Sequence, residues 1–183
     1  MVTIYTTGDG KQYTAVDGTI LILAPPVSSV LITDRTEQDV ARWRELHDKG
    51  WFAMTAEEQS EWVGEMKGRY SYTDMNRVEN AVAVLSERFV KDGYLTSPLS
   101  VKTDWDQRSI PTVADMERYL DNVAALRRVF RVYPTTPAAP TIDQRLNYKK
   151  ANDIEQILTD LDDILTKIPN SRFYAGEIYS GEV

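Results

Sequence analysis

Apolar positions recur at helical spacing in three stretches of the chain. Each stretch holds five apolar residues at successive steps of three, four, three and four, which places all five on one face of a helix. The three sets are Met75, Val78, Val82, Leu85 and Phe89; Met116, Tyr119, Val123, Leu126 and Phe130; and Ala151, Ile154, Leu158, Leu161 and Leu165. Their offsets of about 41 and about 35 residues are in the range of repeated supersecondary units. The pattern predicts three like helices with Val82, Val123 and Leu158 buried in one core. Thr73 or Asp74 is predicted to cap the first of them, the second is predicted to end at about Val132, and Pro169-Asn170 is predicted to end the third.

Two shorter helices are predicted before the first repeat. Residues 34 to 48 form one of them, and Lys49-Gly50 ends it. A capping box from Thr55 to Glu58 starts the other, which Gly68 closes. We therefore expect a mainly α fold: a helical bundle of about five helices, three of them repeat-like, plus a small N-terminal β element.

The N-terminal segment has a strand-like pattern instead. Residues 1 to 24 predict a three-stranded meander with a turn at Gly8-Asp9-Gly10. Its third strand holds Ile20, Leu21, Ile22 and Leu23 and is apolar on both faces, which so small a sheet cannot cover by itself. We therefore predict a docking or oligomerisation segment at 1–32, with these four residues at the interface, and a helical repeat domain at 33–183.

Charge and composition remove several classes of function. A net charge of −7 and a pI near 4.8 argue against nucleic acid as a partner, because such binding needs a basic footprint. The longest apolar run, residues 19–24, is too short to cross a membrane. The absence of cysteine excludes disulfides, thiolate metal sites and thiol nucleophiles. No cofactor and no metal are expected.

Candidate catalytic groups are few. The single histidine, His47, lies near a predicted helix end, where a structural role is favoured because no nucleophile or orienting partner can be placed beside it. The acidic pairs Glu57-Glu58 and Asp162-Asp163 predict solvated helix faces, since adjacent helical residues do not face each other. No catalytic residue is assigned, and the chain is predicted not to be an enzyme.

Two polar patterns leave alternatives open. Asp104-Trp105-Asp106 could contact a metal or a sugar, but lacks the ligand array of a calcium loop, so a tryptophan anchoring its loop to the bundle is favoured. Polar residues at the repeat starts also recur. They are Asn76, Arg77 and Glu79, then Glu117 and Arg118, then Asn152 and Glu155. They could form a repeated partner-binding site, or a polar network that ties each helix to its preceding loop, which is favoured.

Four stretches together resemble a family of proteins encoded in tail and fibre modules of phages and prophages of Gram-positive bacteria. They are LITDRTEQDVARW, GRYSYTDMNRVENAV, KTDWDQRSIPTVADMERYLDNVAAL and FYAGEIYSGE, spread from about Leu31 to Val183. The resemblance implies a virion structural protein at the tail, baseplate or fibre, made in the host cytoplasm. It implies other virion proteins as partners and host attachment, and it offers no catalytic residues. A homo-oligomer is expected from the third strand, which is apolar on both faces. The alternatives are a carbohydrate-binding module for host-surface glycans and a head decoration or head fibre protein.

Overall fold

Five helices and two short strands make up the regular structure of the residues that the computed structural model describes, 3–6, 12–15, 27–143 and 145–176. The helices are α1 (Glu37–Lys49), α2 (Ala56–Val63), α3 (Tyr72–Lys91), α4 (Val113–Val129) and α5 (Tyr148–Gly176), with 3-10 turns at Val27–Ser29 and Trp51–Ala53. Strands β1 (Thr3–Thr6) and β2 (Gln12–Ala15) pair antiparallel. The prediction of a mainly helical fold is confirmed. The predicted third strand and its interface, Ile20 to Leu23, lie outside the described residues.

Four of the helices begin with the same local device. A hydroxyl at the cap accepts the backbone N–H three residues on, and the acid at that position accepts the N–H of the cap, so two free donors are satisfied at once. The cap and acid pairs are Thr36 and Asp39, Thr55 and Glu58, Ser71 and Asp74, and Thr112 and Asp115. The predicted box at Thr55 is confirmed. The first repeat helix was expected to be capped by Thr73 or Asp74, but Ser71 is the cap because Asp74 supplies the carboxylate of the box.

The three repeat helices α3, α4 and α5 run in the same direction. Near their N-termini, Arg118 of α4 bonds to Glu79 of α3, and Arg77 of α3 bonds to Glu155 of α5. Near the opposite end, the ring centroids of Phe89 and Phe130 are 5.2 Å apart. Because parallel neighbours cannot be joined by a tight turn, the chain returns along the bundle in long connections between α3 and α4 and between α4 and α5.

The core is formed by the predicted apolar faces. Val82 is 2% exposed and Val123 and Leu158 are fully buried, and all three belong to one cluster, which confirms the prediction. Of the fifteen repeat positions, only Met116 and Phe130 are partly exposed, and both pack against this cluster. The same cluster includes Val27, so the helical core begins before residue 33.

Helices α1 and α2 form a hairpin with a small core of its own. Leu46 and Met54 are buried, and the rings of Trp43 and Trp62 stack at 6.3 Å. No residue from 37 to 65 belongs to the main apolar cluster of the described chain. The hairpin is joined to the bundle at Gly68, where a Cβ would lie 1.9 Å from the carbonyl oxygen of Asp39.

Three predicted helix ends need correction. Gly50, at φ +74°, follows α1 as predicted, but α2 ends at Gly64 rather than at Gly68, which is used for close packing instead. Helix α4 ends at Val129, where Val132 was expected. Helix α5 continues through Pro169 to Gly176, although an interior proline removes one backbone hydrogen bond and its ring crowds the carbonyl four residues before it. In the described part of the chain, no helix is both long and apolar enough to span a membrane.

Candidate functional site

A buried ionic network lies where α3 and α5 begin. The Nη2 atom of Arg35 is 2.8 Å from Asp74 Oδ1 and 2.7 Å from Glu155 Oε1. Arg77 bonds to the same two carboxylates, and its Nε is 3.1 Å from Glu155 Oε2. The side chains of Arg35 and Glu155 are 2% and 0% exposed. Two cations therefore match two anions, and the network fixes how the two helices and the residue 35 segment are placed.

An amide clamp occurs twice. Asn76 on α3 donates from Nδ2 to the carbonyl of Trp105 at 2.8 Å and accepts the Trp105 N–H at 2.9 Å. Asn152 on α5 does the same to Arg35, at 2.8 Å to its carbonyl and 3.1 Å from its N–H. Asn76 and Asn152 occupy the same position in two repeats. Each therefore holds one residue of an extended segment by its backbone.

A glutamate three residues after each clamp repeats the arrangement. Glu79 accepts the Lys102 N–H at 3.2 Å, and Glu155 accepts the Ile32 N–H at 2.6 Å. The held residues are also three apart, Lys102 to Trp105 and Ile32 to Arg35. The polar residues at the repeat starts thus form a network that ties helices to extended segments, as favoured. The expectation that each helix is tied to its preceding loop is wrong for α3, which holds residues 102–105 after it, and for α5, which holds residues 32–35. A shared Thr-Asp pair, at 33–34 and at 103–104, is the sequence signal that could have revealed the two held segments.

The Asp104-Trp105-Asp106 segment is an anchored loop, as favoured. Trp105 is 4% exposed within the core, whereas the side chain of Asp104 is 82% exposed beside Lys102. Asp106 accepts hydrogen bonds from the hydroxyl of Ser109 and the N–H of Arg108, which lower the pKa of its carboxyl. Among the residues from 27 onward that are described, no group of three or more potential ligands could hold a metal ion.

Two tyrosine hydroxyls meet beside the ionic network. Tyr70 and Tyr119 are hydrogen-bonded to each other, and the guanidinium of Arg35 lies 5.5 Å from the centroid of the Tyr70 ring. Burial raises the pKa of both phenols, since ionisation would place a negative charge in the core next to carboxylates. A cleft next to Arg77 and Lys67 has room for about one water molecule. This region therefore offers no space for a substrate.

The remaining candidates of the sequence lie on the surface, with one exception. His47 is exposed, its Nδ1 is 3.2 Å from Asp48 and its ring centroid is 5.1 Å from that of Trp43. Glu58 accepts the Thr55 N–H at 2.8 Å and pairs with Lys49, which lowers the pKa of its carboxyl. Asp162 is the exception.

The expectation that Asp162 lies on a solvated face is wrong. Its side chain is 3% exposed, it is paired with Arg88 of α3 and it accepts the N–H of Ser28 at 3.2 Å. Its neighbour Asp163 is 43% exposed and pairs with Lys167, as expected of a surface residue. Asp162 lies on the α5 side that faces α3, and a partner 74 residues away compensates its charge.

Two adjacent aromatic side chains are exposed at the turn of the α1–α2 hairpin, a feature that the sequence did not predict. Phe52 is 100% exposed and Trp51 is 43% exposed, and Val63 at the end of α2 is 72% exposed. Two adjacent aromatic residues directly after a helix-ending Lys49-Gly50 were the signal available in the sequence. Large exposed apolar groups of this kind mark interaction surfaces when they occur together.

Comparison with protein families, curated proteins and solved structures finds no match to this chain. Fold and site together define a mainly helical domain whose buried polar residues hold its own segments together. Among the described residues, the exposed aromatic side chains are Trp51 and Phe52 of the α1–α2 hairpin.

Proposed function

We propose that this protein is a structural component of a phage virion, associated with the tail, baseplate or fibre, and that it acts through protein–protein contacts rather than catalysis. The resemblance of four stretches between Leu31 and Val183 to a tail and fibre family supports the virion role. In this proposal the segment at 1–32 docks on another virion protein or on a second copy through the apolar Ile20 to Leu23, which precede Val27 of the helical core.

The observation that supports a role through protein–protein contacts is the contrast between the buried charged side chains and the exposed aromatic ones. The buried charged groups are ion-paired or hydrogen-bonded within the described chain, as Arg35, Glu79 and Glu155 illustrate. The exposed aromatic residues Trp51 and Phe52 have the opposite environment. The buried charges of this domain bond within the chain, and its exposed aromatic side chains are available to a partner. Such a domain is suited to docking on another protein.

A carbohydrate-binding role is the second candidate. Trp51 and Phe52 are exposed next to each other, and aromatic rings of this kind can stack on sugar rings. A glycan array probed with the purified chain distinguishes the two proposals. Binding to defined glycans that is lost in Trp51→Ala and Phe52→Ala favours the carbohydrate role, whereas a structural subunit is expected to bind no sugar.

The virion role is tested on particles of the phage or prophage that encodes the chain. Antibody-gold labelling in electron micrographs is expected to mark the tail, baseplate or fibre. Head labelling would favour a head decoration or head fibre protein, and absence from purified particles would overturn the proposal. A chain without residues 1–24 is expected to fold but not to enter particles; normal incorporation of this variant would place the docking surface on the helices.

A further inference from the structure

The α1–α2 hairpin is strongly acidic. Residues 37–65, named here the acidic arm, contain eight carboxylates and three arginines or lysines. The cations Arg42 and Lys49 pair within the arm, with Glu61 at 2.7 Å and Glu58 at 2.6 Å. Asp48 and Glu65 are exposed, and neither pairs with a lysine or arginine in the described chain. The arm therefore carries excess negative charge, and Phe52 is exposed at its turn.

A second surface of the same chain has the opposite charge. Residues 127–143 and 145–150, named here the basic segment, contain six arginines or lysines and one carboxylate. Arg127 is used internally, since it donates to the carbonyls of Thr136 and Pro137. Arg128, Arg131 and Arg145 are exposed, and none of them pairs with a carboxylate of the described residues. Ile142, in the same segment, is 47% exposed.

No ion pair joins the acidic arm to the basic segment among the described residues, although their charges are complementary. The Lys150 ammonium is paired with Asp153 of its own helix at 3.5 Å, and the arm cations Arg42 and Lys49 are paired within the arm. Each surface also has an exposed apolar group, Phe52 on the arm and Ile142 on the segment. The chain thus carries two surfaces of opposite charge, each with an exposed apolar side chain, and the two are not ion-paired with each other within the described chain.

We propose that the acidic arm of one copy docks on the basic segment of a second copy. Because the two surfaces differ, the contact is head-to-tail, and it generates a ring if the rotation between copies closes and a filament if it does not. Phe52 supplies the apolar anchor and the charges set orientation and encounter rate. This inference rests on the contact-based part of the proposed function and adds the partner, a second copy.

The test uses the purified full-length chain in sedimentation velocity at low and high salt. Self-association that weakens as salt is raised is expected, because the contact depends on exposed charges. Phe52→Ser is expected to weaken association about tenfold or more, as an interfacial aromatic anchor does. Val113→Ser is the matched control, since Val113 is 69% exposed but lies outside both surfaces. A monomer at all concentrations and both salt levels would overturn the inference.

Charge reversal identifies the two surfaces. The arm variant carries Asp48→Lys and Glu65→Lys, and the segment variant carries Arg131→Glu and Arg145→Glu. Neither variant alone is expected to associate, whereas an equimolar mixture of the two is expected to do so, because the unchanged acidic arm of the segment variant then meets the unchanged basic segment of the arm variant. Association of either single variant at the wild-type level, or a mixture that stays monomeric, would contradict the inference.

Two outcomes separate this inference from the proposed function. Loss of self-association on deleting residues 1–24, with the arm variant unaffected, would assign self-contact to the N-terminal segment and overturn the arm contact. A chain that self-associates through the arm but is absent from particles would preserve the inference and remove the virion role.

Discussion

Asn76 and Asn152 occupy the same position in two parallel helices, and each holds one residue of an extended segment by both atoms of its side-chain amide. The held residues, Trp105 and Arg35, turn their side chains into the interior, where they are 4% and 4% exposed. Extended segment and helix thus form a unit that occurs twice, once with α3 and once with α5. The second unit closes the fold, since it joins the residue 32–35 segment to the last helix.

The clamp is tested by Asn76→Asp. The carboxylate keeps the acceptor for the Trp105 N–H, but it loses the donor and faces the Trp105 carbonyl. We expect a loss of about 1–3 kcal/mol in the free energy of unfolding, measured by urea denaturation. Asn80→Asp adds the same charge at an exposed position one turn on, where it removes only an exposed hydrogen bond to the Asn76 carbonyl, and should cost less than Asn76→Asp. Equal effects of the two variants would contradict the clamp.

The shared core is tested by Val82→Asp. Val82 is 2% exposed, and its burial is worth roughly 1.5–3 kcal/mol. A carboxylate without a partner at this site adds several kcal/mol of desolvation cost. Circular dichroism is expected to show an unfolded or severely destabilised domain, whereas Val113→Asp at an exposed position should melt like the wild type. An unchanged melting temperature for Val82→Asp would refute the repeat argument.

The anchoring role of Trp105 is tested by replacing it with alanine. Its indole N–H has no acceptor among the described residues, so the side chain contributes by packing rather than by a polar contact. Trp105→Ala should cost about 3–5 kcal/mol. Asp104→Ala, at a side chain that is 82% exposed, should have little effect on stability. If Asp104→Ala proved the more damaging change, the acidic residues and not the tryptophan would be the important part of the loop.

Alkaline pH should destabilise the domain through Tyr70 and Tyr119. Burial raises the pKa of both phenols above that of the unfolded chain, so the folded state binds more protons at high pH. Stability is therefore fully present below the unfolded value of about 10 and falls as pH rises above it. Denaturant unfolding between neutral pH and pH 11 measures the loss, with Tyr148→Phe as the surface control.

A Tyr70→Phe, Tyr119→Phe double variant should lose less stability than the wild type over the same pH interval, because neither phenol remains to ionise in the unfolded chain. Tyrosinate absorbance provides a second measurement. The wild type is expected to have two more tyrosines that resist ionisation at high pH than the double variant has. Equal numbers of resistant tyrosines in the two proteins would refute the assignment.

The sequence alone determined the helices and their inward faces. Steps of three and four residues, together with Ser, Thr and acidic caps, are local signals, because a helix satisfies its backbone within a few residues. The same locality explains why Val82, Val123 and Leu158 were correctly predicted to be buried. The ends of three helices were predicted a few residues away from where they lie, near Gly64 and Val129 and beyond Pro169, because contacts with the rest of the fold help to decide where a helix ends.

Only the tertiary structure decided which polar residues are buried and what they bind. Asp162 looks like any surface acid in the sequence, yet Arg88 and the Ser28 N–H, 74 and 134 residues away, make its burial favourable. The parallel direction of α3, α4 and α5, and the exposure of Phe52 on the α1–α2 hairpin, are equally non-local. Apolar burial can be read from the spacing within one helix, whereas the energy of a buried charge depends on partners that only the complete fold brings within hydrogen-bonding distance.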